Sequence, residues 1–142
     1  MSTAANSSAV NTDTRSGPSF SLANRAGRAA WVLVYWALFR PTPPPLHAWR
    51  AWLLRCFGAR VGAGAHIYPG ARIWAPWNFA CGAATGVASG AMLYNQAPIT
   101  LGARVVVSQG AHLCSGTHDY DDPGFPLVAR PITVGDDAWL AA

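Results

Sequence analysis

From Val61 onward the chain repeats an aliphatic residue followed by glycine at a fixed interval, and few folds tolerate such a pattern. Val61-Gly62, Cys81-Gly82 and Leu101-Gly102 are twenty residues apart, and Val134-Gly135 follows thirty-three later. Within each twenty a larger, mostly aliphatic residue returns at every sixth position: Val61, Ile67, Ile73; then Cys81, Val87, Leu93; then Leu101, Val107, Leu113. Four places after most of these stands a small side chain, as at Ala65, Ala71, Thr85, Ala91, Val105, Ala111 and Thr117. Trp77 breaks that rule beside an expected corner, where there is room for it.

A six-residue period with a bulky and a small partner is the hexapeptide form of the parallel β-helix. Three hexads and two corner residues make twenty, so each coil is a triangle of short strands whose aliphatic side chains stack on the coils above and below. The interval of thirty-three is one coil plus thirteen residues. Because QAPITLG (96–102) and ARPITVG (129–135) share Pro-Ile-Thr-aliphatic-Gly, they are expected at equivalent places on successive coils. The extra residues then fall in a loop at about 118–130 that projects from the prism. The fourth coil reaches its second hexad at Leu140 and has two residues after it. The sequence therefore suggests a truncated form, because a solenoid stopped mid-coil leaves strands unpaired and stacked aliphatic side chains bare.

Upstream of the repeats the composition changes. Residues 1–24 are polar and read as a disordered tail, not as a signal peptide. Residues 25–58 read as a helical arm broken by Pro41, Pro43, Pro44 and Pro45. Its apolar run AAWVLVYWALF is about half the roughly 20 residues needed to cross a bilayer. In the second segment Leu46, Trp49, Leu53 and Cys56/Phe57 share one helical face, with His47, Arg50 and Arg55 off it. The arm is expected to pack on its own domain or a sister subunit, placing Trp31, Trp36, Trp49 and Trp52 partly against protein, with membrane-surface contact as the rival reading. The net charge of +4 comes from thinly spread Arg and is joined by no nucleic-acid signature. Cys56, Cys81 and Cys114 form no C-x-x-C pair, which fits a reducing compartment and suggests neither disulfides nor a zinc site.

The polar chemistry is concentrated where the loop leaves the coil, in CSGTHDYDD (114–122). A long loop in a periodic solenoid is not needed for packing, so polar groups at its root invite a functional reading. His118 could also do no more than tie the loop to the wall. Asp119 fits a structural role at least as well as orienting the ring, and Asp121 and Asp122 are expected to be solvated.

The run VVSQGAHLCSGTHDYDDPGFPLVARPITVGDDAWLAA (106–142), with LLRCFGARVG (53–62) upstream, resembles the hexapeptide-repeat O-acetyltransferases of exopolysaccharide synthesis, particularly the colanic acid acetyltransferase group. The resemblance implies an all-β fold, a left-handed parallel β-helix of hexapeptide repeats, although parallel crossovers are usually right-handed. It further implies a homotrimer with active sites between subunits, acetyl-CoA as co-substrate, no metal, and a sugar or lipid-linked glycan as acceptor. Since family members continue for further coils that supply much of the coenzyme A site, these 142 residues are expected to bind coenzyme A weakly or not at all. The cysteines fit a cytoplasmic location, which the rival reading of the arm would make peripheral at the inner face of the membrane.

By the same resemblance His118 is the general base, Asn95 touches the acceptor hydroxyl or else shapes a corner turn, and Trp139, Ala141 and Ala142 lie beside the thioester arm. Imidazole titrates near neutrality, so it suits a step that removes a proton from a hydroxyl and returns it to a thiolate. Two other readings remain at this stage. One is a non-catalytic trimeric scaffold. The other is a metal-dependent carbonic anhydrase on the same fold, which needs three converging histidines at a spacing that His66, His112 and His118 do not supply.

Overall fold

The computed structural model describes residues 19–142. The tail expected over 1–24 lies outside them up to residue 18, but its last residues are already helical. Helix α1 spans Leu22–Val34, with the Ser21 hydroxyl accepting from the Asn24 amide at its N-terminus. It runs on through a π-helical turn, Tyr35–Phe39, in which the Arg40 amide donates to the Tyr35 carbonyl. After the proline-rich corner comes α2, His47–Cys56.

The rest is a solenoid. Its first coil holds β1 (Arg60–Val61), β2 (His66–Ile67) and β3 (Arg72–Ile73). The second holds β4 (Phe79–Cys81), β5 (Gly86–Val87) and β6 (Met92–Tyr94), and the third β7 (Ile99–Leu101), β8 (Val106–Val107) and β9 (His112–Cys114). A hairpin of β10 (Gly116–His118) and β11 (Leu127–Ala129) interrupts the winding before β12 (Ile132–Val134) and β13 (Trp139–Leu140). The strands form three parallel sheets, β1-β4-β7-β12, β2-β5-β8-β13 and β3-β6-β9, which are the faces of a left-handed triangular β-helix.

The register matches the spacing read from the sequence. Val61 pairs with Cys81, Cys81 with Leu101, and Leu101 with Val134, so the step is twenty, twenty and thirty-three. Ile67, Val87, Leu93 and Val107 are completely buried, as is the small partner Val105. Thr117 does not take its expected small-residue place inside, because it belongs to the hairpin and is exposed. The repeating glycine has a steric cause: a Cβ on Gly62 or Gly82 would run into the main chain of the next coil, against Gly82–Ala83 and Gly102–Ala103 respectively. At the neighbouring corner Gly64, Ala84, Arg104 and Asp137 all have φ between 55° and 69°, so each coil turns through a left-handed residue at the same place.

The arm packs differently from its sequence pattern. Trp31, Tyr35 and Phe39 lie on the prism, and the Trp31 indole donates to the Ile73 carbonyl at 2.8 Å. Trp36, Trp49 and Trp52 are only partly covered, at 58%, 38% and 52% exposure. In α2 the buried residues are Arg50, Ala51, Leu53 and Leu54, so Arg50 is inside and Trp49 is not. Arg50 is satisfied there. Its guanidinium donates to the carbonyls of Ile67, Pro43 and Pro44 and to the Thr42 hydroxyl, so it staples the proline corner to the first coil. Trp77, in the turn Pro76–Asn78, reaches Gly27 of α1, where a Cβ would lie 3.3 Å from its ring. This tryptophan therefore keys the arm to the corner.

Candidate active site on the inserted hairpin

The insertion begins two residues earlier than its expected start and is ordered as a hairpin. β10 and β11 pair antiparallel with Gly116 opposite Ala129, Thr117 opposite Val128 and His118 opposite Leu127. Its root is tied to the wall at Ser115, whose hydroxyl accepts from the Ala97 amide at 2.9 Å and lies 3.1 Å from the Ala97 carbonyl. The Gln96 side chain lies so close to Gly116 that no Cβ would fit there. The coil therefore leaves its hexad pattern at a Ser-Gly pair whose two residues each have a contact that fixes the exit.

His118 is half-buried at the end of β10. Its ring stacks on that of Phe125, with centroids 4.5 Å apart and planes 6° from parallel. Nδ1 lies 3.1 Å from the Phe125 carbonyl oxygen. A carbonyl only accepts, so this bond requires the proton on Nδ1 and leaves the lone pair of the neutral ring on Nε2. Phe125 itself has φ 49°, a left-handed conformation uncommon for a bulky residue, and its amide donates to the Asp122 carbonyl at 2.8 Å. The turn that forces this conformation is also what aims the carbonyl at the imidazole. Nothing in the sequence singled out Phe125, because its role depends on a backbone dihedral.

The aspartates serve the loop. The Asp119 carboxylate accepts from the Asp121 amide at 3.0 Å, and that of Asp122 from the Gly124 amide at 2.7 Å. These are short-range turns of the kind Asp favours. The Asp119 amide donates to the Pro126 carbonyl, closing the hairpin one step beyond His118. The acidic cluster of CSGTHDYDD thus shapes the turn that carries the histidine.

Asn95 is completely buried. Its Oδ1 accepts from the Ala75 amide at 2.9 Å and its Nδ2 donates to the Ala75 carbonyl at 2.7 Å, across the corner between successive coils. The amide considered for an acceptor hydroxyl is instead committed to the main chain, which is the corner reading.

Trp139 is 74% exposed on β13, with its indole donating to the Ser108 hydroxyl at 2.7 Å. Ala141 and Ala142 follow on the surface, with Ala142 stacked over Gly110. The hairpin emerges between the face that ends in β9 and the face that receives β12, whereas Trp139 lies on the third face. One chain therefore does not bring His118 and Trp139 together. His66 and His112 stand on different faces, and among the described residues no three His, Cys, Asp or Glu side chains converge as metal ligands would.

No family model matches the chain. Individual relatives do. WcaF of Escherichia coli (strain K12) and WcaF of Shigella flexneri, both named for an acetyltransferase role in colanic acid biosynthesis, are 40% identical over 121 residues, covering 82% of this chain and 66% of theirs. This chain thus spans just under two thirds of the length of those relatives. Among solved structures, the hexapeptide-repeat containing acetyltransferase VCA0836 from Vibrio cholerae superposes with a TM-score of 0.73 at 20% identity, over 84% of this chain and 68% of that one. The shared coil geometry, together with relatives 40% identical over 82% of this chain, places the chain in the hexapeptide-repeat acetyltransferase family, near the colanic acid biosynthesis group.

Proposed function

We propose that the protein transfers an acetyl group from acetyl-CoA to a sugar hydroxyl of an exopolysaccharide or its precursor, with His118 as general base. The observation that carries this reading is the fixed imidazole on the hairpin. Its Nδ1 is held by the Phe125 carbonyl, and no protein group bonds Nε2 among the described residues. The acceptor class comes from the relatives, which are named for colanic acid synthesis.

In this reading Nε2 takes the hydroxyl proton as the sugar oxygen attacks the thioester carbonyl carbon. The same nitrogen returns the proton to the sulfur as the carbon–sulfur bond breaks. His118 ends as it began, so no covalent enzyme intermediate is required. The Phe125 carbonyl stabilises the imidazolium that forms in between, in the way an orienting acceptor does for other catalytic histidines. Trp139, Ala141 and Ala142 would contact the thioester arm. Because Trp139 and His118 belong to different sides of the prism, a complete site would combine the hairpin of one subunit with the Trp139 face of another, as in a homotrimer.

The test is acetyl transfer from acetyl-CoA across a panel of sugars and oligosaccharides, with a His118→Ala variant beside the parent. Turnover should fall by about 10²–10⁴-fold in the variant. Its thermal unfolding should be nearly unchanged, because a half-exposed residue on a hairpin buries little apolar surface. Equal turnover in the two proteins would remove His118 from the chemistry, and no transfer to any acceptor would favour the scaffold reading.

A further inference from the structure

The arm has two apolar faces, and the prism uses only one. Opposite Trp31, Tyr35 and Phe39, α1 and its π-helical turn present Val32, Leu33, Trp36 and Leu38 to solvent, with Leu33 72% and Trp36 58% exposed. Trp49 and Trp52 of α2 join them. The Trp49 indole donates to the Leu38 carbonyl at 2.9 Å, and the two rings of Trp49 and Trp52 stack at 5.2 Å, so both helices contribute to a single surface. Leaving so many large apolar side chains in water is costly for a helical hairpin that already has a core contact, and contiguous patches of this kind mark a binding surface.

The charge around the patch selects the partner. Among the described residues no Asp or Glu occurs before Asp119, whereas Arg25 and Arg40 stand exposed at either end of the outward stripe of α1; Arg55 of α2 is held instead by the Val61 carbonyl of the first coil. Arg40 is one helical turn from Trp36. Tryptophan favours a boundary that is apolar on one side and wet on the other, and arginine is drawn to anionic headgroups while its stem stays among apolar atoms. An apolar patch rimmed only by cations has no complement on the rest of this chain's arm, because every described carboxylate lies in the last quarter of the sequence. No helix is long and apolar enough to cross a membrane.

We infer that this outer face of the arm docks the protein on an anionic bilayer surface, with Trp36, Trp49 and Trp52 entering the interface and Arg25 and Arg40 meeting phosphate headgroups. The helices lie along the membrane. The inference does not depend on acetyl transfer, but it goes beyond that activity by placing the enzyme where a lipid-carried acceptor would be.

Flotation of the full chain with vesicles tests it, using phosphatidylcholine alone and phosphatidylcholine doped with phosphatidylglycerol. Binding to the doped vesicles should be at least about tenfold tighter than to the neutral ones, and should weaken as salt rises from about 50 mM to about 500 mM. A Trp36→Ser/Trp52→Ser variant should lose about tenfold or more in vesicle affinity while keeping its circular dichroism spectrum. Because both residues are solvent-exposed, that variant is expected to fold, and an Arg25→Gln/Arg40→Gln variant tests the charge independently. Absence of binding to the doped vesicles would overturn the inference, and so would equal binding to both. If the tryptophan variant instead changed the number of subunits by light scattering and left vesicle binding unaltered, the patch would be an interface between copies.

Discussion

The prism is built from small, mostly apolar residues and the hairpin from polar and aromatic ones, and the two are held in opposite ways. In the prism every sixth residue points inward onto its counterpart one coil away, so each side chain is fixed by two neighbours of the same kind. In the hairpin only Leu127 is buried, and order comes from a three-residue ladder, a few Asp turns and the stacked rings of His118 and Phe125. The difference separates two tasks. Repeated packing supplies stability and admits a polar side chain only where the main chain satisfies it, as at Thr85 and Asn95, whereas a segment outside the repeat can carry a titratable ring without disturbing the stack.

Mutations should reproduce that division. The largest effect on stability is expected from Leu93→Ala in the completely buried stack, at about 2–5 kcal/mol by denaturant unfolding. Activity per folded molecule should stay near the parent value, and a selective loss of turnover without destabilisation would break the distinction. Asn95→Ala comes next. It leaves the Ala75 amide without a partner in a buried corner and takes away one of the two donors to the Ala75 carbonyl, which the Asn78 amide also meets at 3.0 Å, at about 1–3 kcal/mol for the orphaned amide. The Michaelis constant for the acceptor should be unchanged in the folded fraction, and a raised constant with normal stability would return Asn95 to substrate binding.

On the hairpin, Phe125→Ala keeps the carbonyl that meets Nδ1 but removes the stacked ring. Turnover should fall by about tenfold, which corresponds to about 1.4 kcal/mol in the barrier. Nitrogen chemical shifts of His118 should show a loosened tautomer preference, a readout that a merely structural residue would leave alone. The smallest effect belongs to the coil corner, where Arg104 and Asp137 form a bidentate pair at 2.6 and 2.9 Å. The arginine holds the Asp137 carboxyl below its ordinary value, first through its hydrogen bond. A depressed carboxyl contributes stability above its unfolded pKa and loses it as the pH falls through the folded one. Both side chains are exposed, so salt and solvent screen the pair, and Asp137→Asn should leave the unfolding midpoint at neutral pH nearly unchanged.

The parts that were legible in the sequence share a physical basis. A stacked coil makes each residue the neighbour of its own equivalent one repeat away, so periodicity in the chain is periodicity in space. That is why the twenty-residue step, the inward Ile67, Val87 and Val107, and the equivalence of the two Pro-Ile-Thr segments could all be read directly. His118 stood out because it interrupts that pattern at the start of the only long insertion. Asn95 did not resolve itself, because a buried corner amide and a substrate-binding amide have the same sequence context.

The arm shows where such reading stops. Its helices carry apolar residues on more than one side, so the pattern alone could not choose the face that packs. The choice fell to groups that exist only once the chain is folded: the Ile67, Pro43 and Pro44 carbonyls that satisfy a buried Arg50, and the Ile73 carbonyl that receives the Trp31 indole. The same holds at the hairpin. The sequence showed that the repeat is interrupted close to His118, whereas the coil in fact ends at Ser115. Only the tertiary structure decided which nitrogen of His118 is held, since that rests on the left-handed backbone of Phe125 seven residues further on. Local periodicity is written in the order of residues, but long-range hydrogen bonds to the main chain are not, because any residue supplies the carbonyl and only the fold says where it points.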